Sequence, residues 1–197
     1  MKPNTAPVRV LSRFLAAASA ALLLGDCAAA LMDRPRASTE NGAYLRGVRL
    51  APVQVGSFMP GAGKPAALDR SIGIRGASLR SPVQGSFARY LGETLQVELA
   101  AAGLLDADAP TVISGTLGDS ELEAAIGQGS TRLTARFVVT RAGIVRYDRT
   151  LTASARWESA FVGAVAIRLA AARYQGLYRQ LAGQLFADPD FRKALAP

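Results

Sequence analysis

The feature that most constrains the fold is the alternating stretch "STRLTARFVVTRAGIVRYDRTLTASARW", over residues 130–157. On each of its two arms, apolar residues alternate with threonines, serines and arginines. A period of two predicts strands with one buried face and one solvated face. Ala142 and Gly143 stand between the arms, so we predict a β-hairpin that turns there. Its buried face is predicted to contain Leu133, Ala135, Phe137, Val139, Tyr147, Leu151, Ala153, Ala155 and Trp157.

Two amphipathic stretches flank this hairpin along the chain. The first repeats an apolar residue every four positions, which indicates a helix with one apolar stripe. Ser81 as the N-cap, with Gln84 completing a capping box, predicts where this helix begins, and Gly103 predicts where it ends. The second helix is predicted over residues 162–186. The stripe of the first helix contains Phe87, Leu91, Leu95 and Leu99.

Two further strands are predicted in residues 44–58 and 111–127, the second with a bend at Gly118. Residues 59–80 are rich in Gly, Pro, Ser and Arg, and we interpret them as a long loop. Both helices must bury their stripes against the apolar face of the sheet. The sequence therefore predicts an α+β fold, a two-layer sandwich with two amphipathic helices on one face of a mainly antiparallel four-stranded sheet.

The N-terminal residues have the pattern of an export signal. Three bases and no acid precede twelve apolar or small residues, 14–25, a run too short to span a bilayer. We predict a signal peptide over residues 1–26 and a lipidated N-terminus and tether over 27–44. A single α+β domain then follows over 45–197, with its long loop at 59–80.

The hexapeptide "LLLGDC", residues 22–27, resembles the lipobox of bacterial lipoproteins, in which a small residue precedes a cysteine that becomes lipidated. The resemblance implies that Cys27 carries a lipid anchor. Because Ala28 and not Asp follows the cysteine, it also implies an outer-membrane protein that faces the periplasm. Asp26 stands where the family has Gly, Ala or Ser. Simple secretion after cleavage at Ala30, or a retained N-terminal anchor, are the alternatives.

Composition excludes several kinds of chemistry. The chain has no histidine, so it can form neither a Ser-His-Asp triad nor a His-ligated metal site. Its single cysteine allows no disulfide framework. The net charge of +8 is spread along the chain without a basic run. In an exported protein such a charge favours an anionic membrane surface over nucleic acid, and we predict no cofactor, no metal and no nucleic-acid partner.

Beyond the leader, residues 45–187 resemble the small envelope lipoproteins of Gram-negative bacteria in architecture. The stretches that carry the resemblance are "SPVQGSFARYLGETLQVELAAAGLL", "VISGTLGDSELEA" and "ARWESAFVGAVAIRLAAARYQGLYRQLAGQL". Such families include the lipopolysaccharide-assembly lipoprotein, the auxiliary lipoproteins of lipid-transport ABC systems, and a group similar to the N-terminal domain of the Tol-Pal-associated propeller protein. Their bodies are binding or assembly modules. The resemblance therefore implies a non-enzymatic module of an envelope complex, with a protein or a lipid as partner.

Two segments are candidate partner-binding sites. The predicted loop carries four bases against one acid, and near a membrane each base contributes about 1 kcal/mol of attraction to anionic lipid. The simpler interpretation is a solvated loop. Trp157 and Phe161 precede the second helix, where they form either an exposed docking spot or, in the interpretation we favour, a plug that seals the sheet end. The four bases are Lys64, Arg70, Arg75 and Arg80.

One acidic pattern supports a different function. Asp119, Glu121 and Glu123 alternate along one predicted strand and so share a face. Paired carboxylates can perform acid–base catalysis or bind Ca²⁺. The alternative to a binding module is thus a secreted, soluble periplasmic protein with a carboxylate-based enzymatic site, although a solvated strand face explains the same pattern.

Overall fold

A computed structural model describes residues 29–197 of the chain, so the predicted signal peptide and Cys27 lie outside the described residues. The strands are β1 (Ala29–Leu31), β2 (Gln54–Pro60), β3 (Ile72–Ile74), β4 (Ala77–Arg80), β5 (Thr111–Ala124), β6 (Gly127–Arg141) and β7 (Ile144–Ser159). The helices are α1 (Thr39–Arg46), α2 (Ala66–Arg70), α3 (Phe87–Ala101), α4 (Gly163–Ala187) and α5 (Pro189–Ala194). In the part of the chain that is described, no helix combines the length and the apolar character of a membrane span.

The main sheet has four strands in the order β2-β5-β6-β7. Strand β2 runs parallel to β5, and the other two pairs are antiparallel. Helices α3 and α4 pack on this sheet and bury their apolar residues against it. The predicted fold class, a two-layer α+β sandwich with a mainly antiparallel sheet, is confirmed.

The predicted hairpin is strands β6 and β7. Ala142 and Gly143 have φ values of 49° and 79°, the left-handed pair that a two-residue hairpin turn requires. The residues predicted to face inward on β6 are fully buried. Strand β5 shifts its register between Leu117 and Ser120, which places an irregularity at the predicted bend, Gly118.

Helix α3 begins five residues later than predicted. Its N-cap is Ser86, whose Oγ accepts a hydrogen bond from the Arg89 N–H at 3.1 Å. Ser81 instead accepts from the Val83 N–H at 3.1 Å, in a separate turn. Gln84 has a φ of 51°, which a helix cannot contain, so the predicted capping box is wrong.

The end of α3 and the whole of α4 lie close to their predicted positions. Gly103 follows α3 with a φ of 72°, the left-handed conformation of a helix-ending glycine. Helix α4 spans Gly163–Ala187, and Asp188 then caps α5 by accepting a hydrogen bond from the Asp190 N–H at 2.9 Å. The buried residues of α4 include Ala166, Ala170, Tyr174, Leu177, Tyr178, Leu181 and Leu185.

The segment interpreted as a long loop, 59–80, is not one. It contains the end of β2, the short helix α2 and strands β3 and β4. β3 and β4 form a hairpin, and β1 adds to β4 in parallel, which completes a second sheet in the order β1-β4-β3. Leu79 and Ile74 of this small sheet are buried in the core. Its strands of three or four residues are too short for the alternation that a sequence pattern requires.

The predicted tether also differs from the structure wherever it is described. Met32 and Asn41 are buried, and α1 begins at Thr39, within the residues predicted to be a tether. The Glu98 carboxylate, buried on α3, accepts hydrogen bonds from Asn41 Nδ2 at 2.8 Å and from the Ser38 N–H at 3.0 Å. These bonds fasten α1 to the domain. Because α1 continues to residue 46, the predicted first strand begins only at residue 54.

Candidate functional site

An open groove of about 1140 Å³ lies between strand β2 and helix α3, and we call it the β2–α3 groove. Residues 56–60 of β2 form one side, and Arg89, Gly92, Glu93 and Gln96 of α3 form the other. Residues 69–71, Arg80 and the turn at 83–86 close its end. The groove is therefore built from elements that are far apart in sequence.

Phe58, which lines the groove, packs closely against α3 and β5. A Cβ atom on Gly92 would lie 3.1 Å from the Phe58 ring, and one on Gly115 would lie 2.7 Å from the same ring. The two glycines thus let Phe58 lie flat between helix and sheet, where it also makes an edge-on contact with Phe137 at 6.2 Å between ring centroids. Phe58 is buried, while its neighbour Met59 is 60% exposed and lines the groove.

The charges that line the groove are mostly positive. Arg70, Arg80 and Arg89 are exposed, and none of them pairs with a carboxylate within residues 29–197. The two acids that line it are already engaged. Asp69 accepts a hydrogen bond from the Ala88 N–H at 2.8 Å, and Glu93 pairs with Arg34 at 3.0 Å. The three arginines are therefore available to an anionic ligand.

Strand β2 also leaves backbone groups for a ligand. Within the described chain it pairs with β5 on one side and forms an edge of the main sheet. Its register shifts between Val55 and Phe58, and it ends at Pro60, which has no N–H to donate. An edge strand presents unpaired N–H and C=O groups to which an extended peptide can add.

The four bases of segment 59–80 do not form one patch. Arg70 and Arg80 lie together in the β2–α3 groove. Lys64 instead pairs with Asp119 of β5. Arg75 donates from Nε to the Ala124 carbonyl oxygen and from Nη1 to the Phe161 carbonyl oxygen, the second at 3.1 Å. Only two of the four predicted partner-binding bases therefore share a site.

Trp157 and Phe161 are in contrasting environments. Trp157 is 8% exposed and covers Gly129 on the neighbouring strand, where a Cβ atom would lie 2.3 Å from the indole ring. Phe161 is 79% exposed, in the segment between β7 and α4. Trp157 thus packs against the end of the sheet, and Phe161 alone of the pair is available to a partner.

Phe161 belongs to an exposed apolar group at this end of the sheet. Ile126 is 66% exposed, Val162 59% and Val165 44%. Ile126 follows β5 and the other residues follow β7. The pairing of Gly127 with Ser159 brings the two segments side by side. We call Ile126, Phe161, Val162 and Val165 the apolar tip.

The acidic residues of β5 are spread along the strand. The hydrogen bond and charge of Lys64 lower the pKa of Asp119, which keeps that carboxylate ionised and paired. Glu121 and Glu123 are exposed. Among residues 29–197, no group of three acidic or cysteine side chains is arranged to hold a metal ion.

A set of buried tyrosines lies where α3 and α4 meet: Tyr90 belongs to α3, and Tyr174 and Tyr178 belong to α4. The Tyr174 and Tyr178 hydroxyls are 2.9 Å apart, and Tyr174 is also 2.6 Å from Ser120 Oγ. The Tyr90 and Tyr178 rings make an edge-on contact at 4.8 Å. Burial raises the pKa of Tyr174 to about 12, so its hydroxyl stays protonated and serves packing.

Arg89 is the groove residue that sequence reasoning missed. The pattern placed it off the apolar stripe of a helix that was expected to start at Ser81. Because α3 starts at Phe87, Arg89 lies in its first turn beside the rim of the groove. Only the correct N-cap, Ser86, would have identified this position.

Comparison with known proteins establishes the fold and no more. No protein-family model and no curated protein matches the sequence. Protein XCC0632 from Xanthomonas campestris, described as DUF330, is similar in structure, with a TM-score of 0.56 at 13% identity over 81% of this chain and 92% of that one. A minor lipoprotein from Acinetobacter baumannii gives a TM-score of 0.45 at 17% identity, over 74% of this chain and 96% of that one.

Proposed function

We propose that this protein is a lipoprotein of the Gram-negative cell envelope, and that its folded body is a non-enzymatic binding module. In this proposal Cys27 carries the lipid, and the anchor holds the body at the outer membrane on the periplasmic side. The β2–α3 groove is the binding site, and its ligand is an extended, acidic segment of a partner protein.

The observation that carries the proposal is a strand edge beside three arginines, all without a partner in the part of the chain that the structure describes. Strand addition gives affinity through main-chain hydrogen bonds, and side-chain pockets and charges give specificity. Arg70, Arg80 and Arg89 favour carboxylates because guanidinium groups bind them in a two-point geometry. Met59, exposed on the same strand, supplies an adaptable apolar contact.

The anchor is supported by the leader alone. An acyl chain stabilises membrane binding by about 0.8 kcal/mol for each buried methylene group, and stable anchoring requires more than one chain. The mass of the mature N-terminus tests this part directly. A lipidated Cys27 is expected at the N-terminus, and an unmodified chain that begins after Ala30 would remove the anchor from the proposal.

Site-specific photocrosslinking in living cells tests the groove. A crosslinking amino acid at Met59 is expected to capture a protein segment, whereas the same group at Ile144, which is 57% exposed at the far end of the sheet, is not. The double variant Arg70→Glu, Arg80→Glu is expected to abolish the adduct at position 59. The matched variant Arg156→Glu, on β7, is expected to leave it unchanged.

Three results would contradict the groove assignment. They are the absence of an adduct at position 59, an adduct that survives the double charge reversal, and a captured segment without acidic residues. Each variant needs an unchanged melting temperature, which we expect because both arginines are exposed and unpaired.

A further inference from the structure

The apolar tip exposes an aromatic ring and three aliphatic side chains at one place on the surface. Single exposed apolar residues are common, but a contiguous group of large ones marks a contact with another apolar phase or with a partner. The sequence "FVGAV", residues 161–165, contains no charged residue.

The structure holds the two parts of the tip together. The Arg75 guanidinium donates to the carbonyl oxygens of Ala124 and of Phe161, and so joins the end of β5 to the segment before α4. Arg75 itself belongs to the turn between β3 and β4. This turn therefore lies against the apolar tip.

The described chain enters the fold at this same end. Ala29 pairs with Ser78 of β4, and Ser78 pairs in turn with Gly73 of β3, two residues before Arg75. The row that Ala29 shares with Ser78 and Gly73 is the second from this turn, after the pair of Ile74 with Ala77. Neighbouring strands are about 4.8 Å apart, so Ala29 lies about 10 Å across the small sheet from Gly73, at the turn end of that sheet. From there β1 leads away from the tip. The Asp33 N–H, two residues after β1, donates to the Gln175 side chain, which lies on α4 ten residues beyond Val165 of the tip.

One residue separates Cys27 from Ala29, and two residues of chain span at most about 7 Å. Acyl chains on Cys27 would therefore enter the bilayer close to the apolar tip. The tip is flanked by exposed bases, Arg156 and Arg168, and by exposed acids, Glu123 and Glu158. Arg75, which binds the Phe161 carbonyl oxygen, adds a third base beside the tip. The apolar side chains and a small excess of positive charge thus both favour an anionic membrane surface.

We propose that the apolar tip inserts into the interfacial layer of the bilayer, so that the domain rests on the membrane through Phe161 and its neighbours. The proposal rests on the lipid anchor of the proposed function, which brings the tip to the surface. Aromatic rings are enriched at the membrane interface, and apolar side chains that enter it strengthen the binding given by a lipid anchor. The occupant of this patch is thus lipid, and the groove remains for protein.

The test places an environment-sensitive fluorescent amino acid at Phe161 in the full chain as cells process it. The matched control carries the same group at Ile144, an exposed apolar residue beside the hairpin turn at the other end of the sheet. Both proteins are reconstituted with vesicles of phosphatidylethanolamine and phosphatidylglycerol, with and without a lipid that bears a shallow nitroxide quencher. The fluorescence emission of the probe at 161 is expected to shift to the blue and to be quenched by the nitroxide lipid. The emission of the probe at 144 is expected to do neither.

Two results would overturn the proposal: no shift at position 161, or equal shifts at positions 161 and 144. If the protein labelled at 161 fails to fold, the probe at Val162 gives the same test. The mass of the mature N-terminus separates this inference from the proposed function. If the chain is acylated and the probe at 161 shows neither shift nor quenching, the inference fails and the proposed anchor stands. If the chain is not acylated and the probe still enters the bilayer, the inference holds without the anchor.

Discussion

The two edges of the main sheet are built differently. Strand β7 is 16 residues long, and charged side chains are distributed along it. Strand β2 has seven residues, "QVGSFMP", with no charge, a register shift between Val55 and Phe58, and Pro60 at its end. The charged residues of β7 are Arg146, Asp148, Arg149, Arg156 and Glu158.

This difference shows how one sheet can be closed to pairing at one edge and selective at the other. Charges along a long edge strand oppose unwanted strand addition, because a neighbouring strand would bring its own side chains against them. β2 has no such protection, but it is short and irregular, and it is reached through a groove with arginines on its walls. A partner of the kind we propose would therefore have to match both the backbone and the charge.

The largest effect on stability that we expect comes from Phe58, the buried side chain that holds β2 against α3 and β5. Phe58→Ala should lower the free energy of unfolding by roughly 3–5 kcal/mol, because it empties a site that two glycines and Phe137 enclose. Met59→Ala, one residue further on the same strand and 60% exposed, should change it by less than about 0.5 kcal/mol. Urea denaturation measures both. Equal effects would show that β2 is not held by its buried side chain.

The second prediction concerns the β7 edge. Tyr147 Oη donates to Asp188 Oδ2 at 2.9 Å, which joins β7 to the N-terminus of α5. Tyr147→Phe should lower the free energy of unfolding by about 1.5–3 kcal/mol at neutral pH, since it removes one hydrogen bond to a charged group. The exposed tyrosine Tyr44 provides the control, and Tyr44→Phe should leave the stability unchanged.

This contribution should weaken in acid. Burial acts to raise the pKa of Asp188, but the hydrogen bonds from Tyr147 and the Asp190 N–H, with the charge of Arg149, bring it below its usual value. A carboxylate with a lowered folded-state pKa stabilises the fold above its unfolded pKa of about 4, and the contribution is lost as pH falls through the folded value. The difference between wild type and Tyr147→Phe should therefore shrink between pH 5 and pH 3. A difference that grows in acid would contradict this assignment.

The smallest effect we expect comes from the surface ion pairs of β7. Arg149 pairs with Asp188 at 3.3 Å and also with Asp190. Arg149→Ala should cost less than about 1 kcal/mol, because half-exposed pairs are screened by water and salt. Arg156→Ala removes an arginine from the same strand that forms no ion pair within residues 29–197. The free energies of unfolding of the two variants should differ at low salt and become equal at high salt, because salt screens the ion pairs of Arg149.

The parts of the fold that the sequence predicts are those with a long, local pattern. Residues 130–157 alternate over two full strands joined by a two-residue turn, so their pairing is evident without knowledge of the rest. Helix α4 repeats its apolar stripe over 25 residues. In both cases many residues repeat the same signal, and one irregular position does not obscure it.

The sequence fails where structure depends on distant partners. Strand β1 has three residues and exists only because β4 is beside it, which no local window reveals. The start of α3 was misplaced because Ser81 and Ser86 both precede apolar residues and both accept backbone hydrogen bonds. The positive φ values of Gln84 and Gly85, 51° and 65°, separate the two, because a helix that began at Ser81 could not contain them.

The candidate site was only partly predictable for the same reason. Arg70 and Arg80 are candidates on sequence, but nothing in the sequence separates them from Lys64 and Arg75, whose partners lie 55 and 49 residues further along the chain. Arg89 required the correct helix start. The β2–α3 groove is formed by tertiary contacts between β2, α3 and residues 69–86, and a single sequence does not show such contacts in a local pattern.

The parallel pairing of β2 with β5 has a consequence for the order of assembly. Strands β5, β6 and β7 follow one another through tight turns, so they can pair as soon as they are made. Ala29 must wait for Ser78 and Gln54 must wait for Val112, and closing such long loops is slow. Strand β2 is therefore made more than fifty residues before its partner β5, and a growing chain must keep β2 apart from other chains until β5 is available.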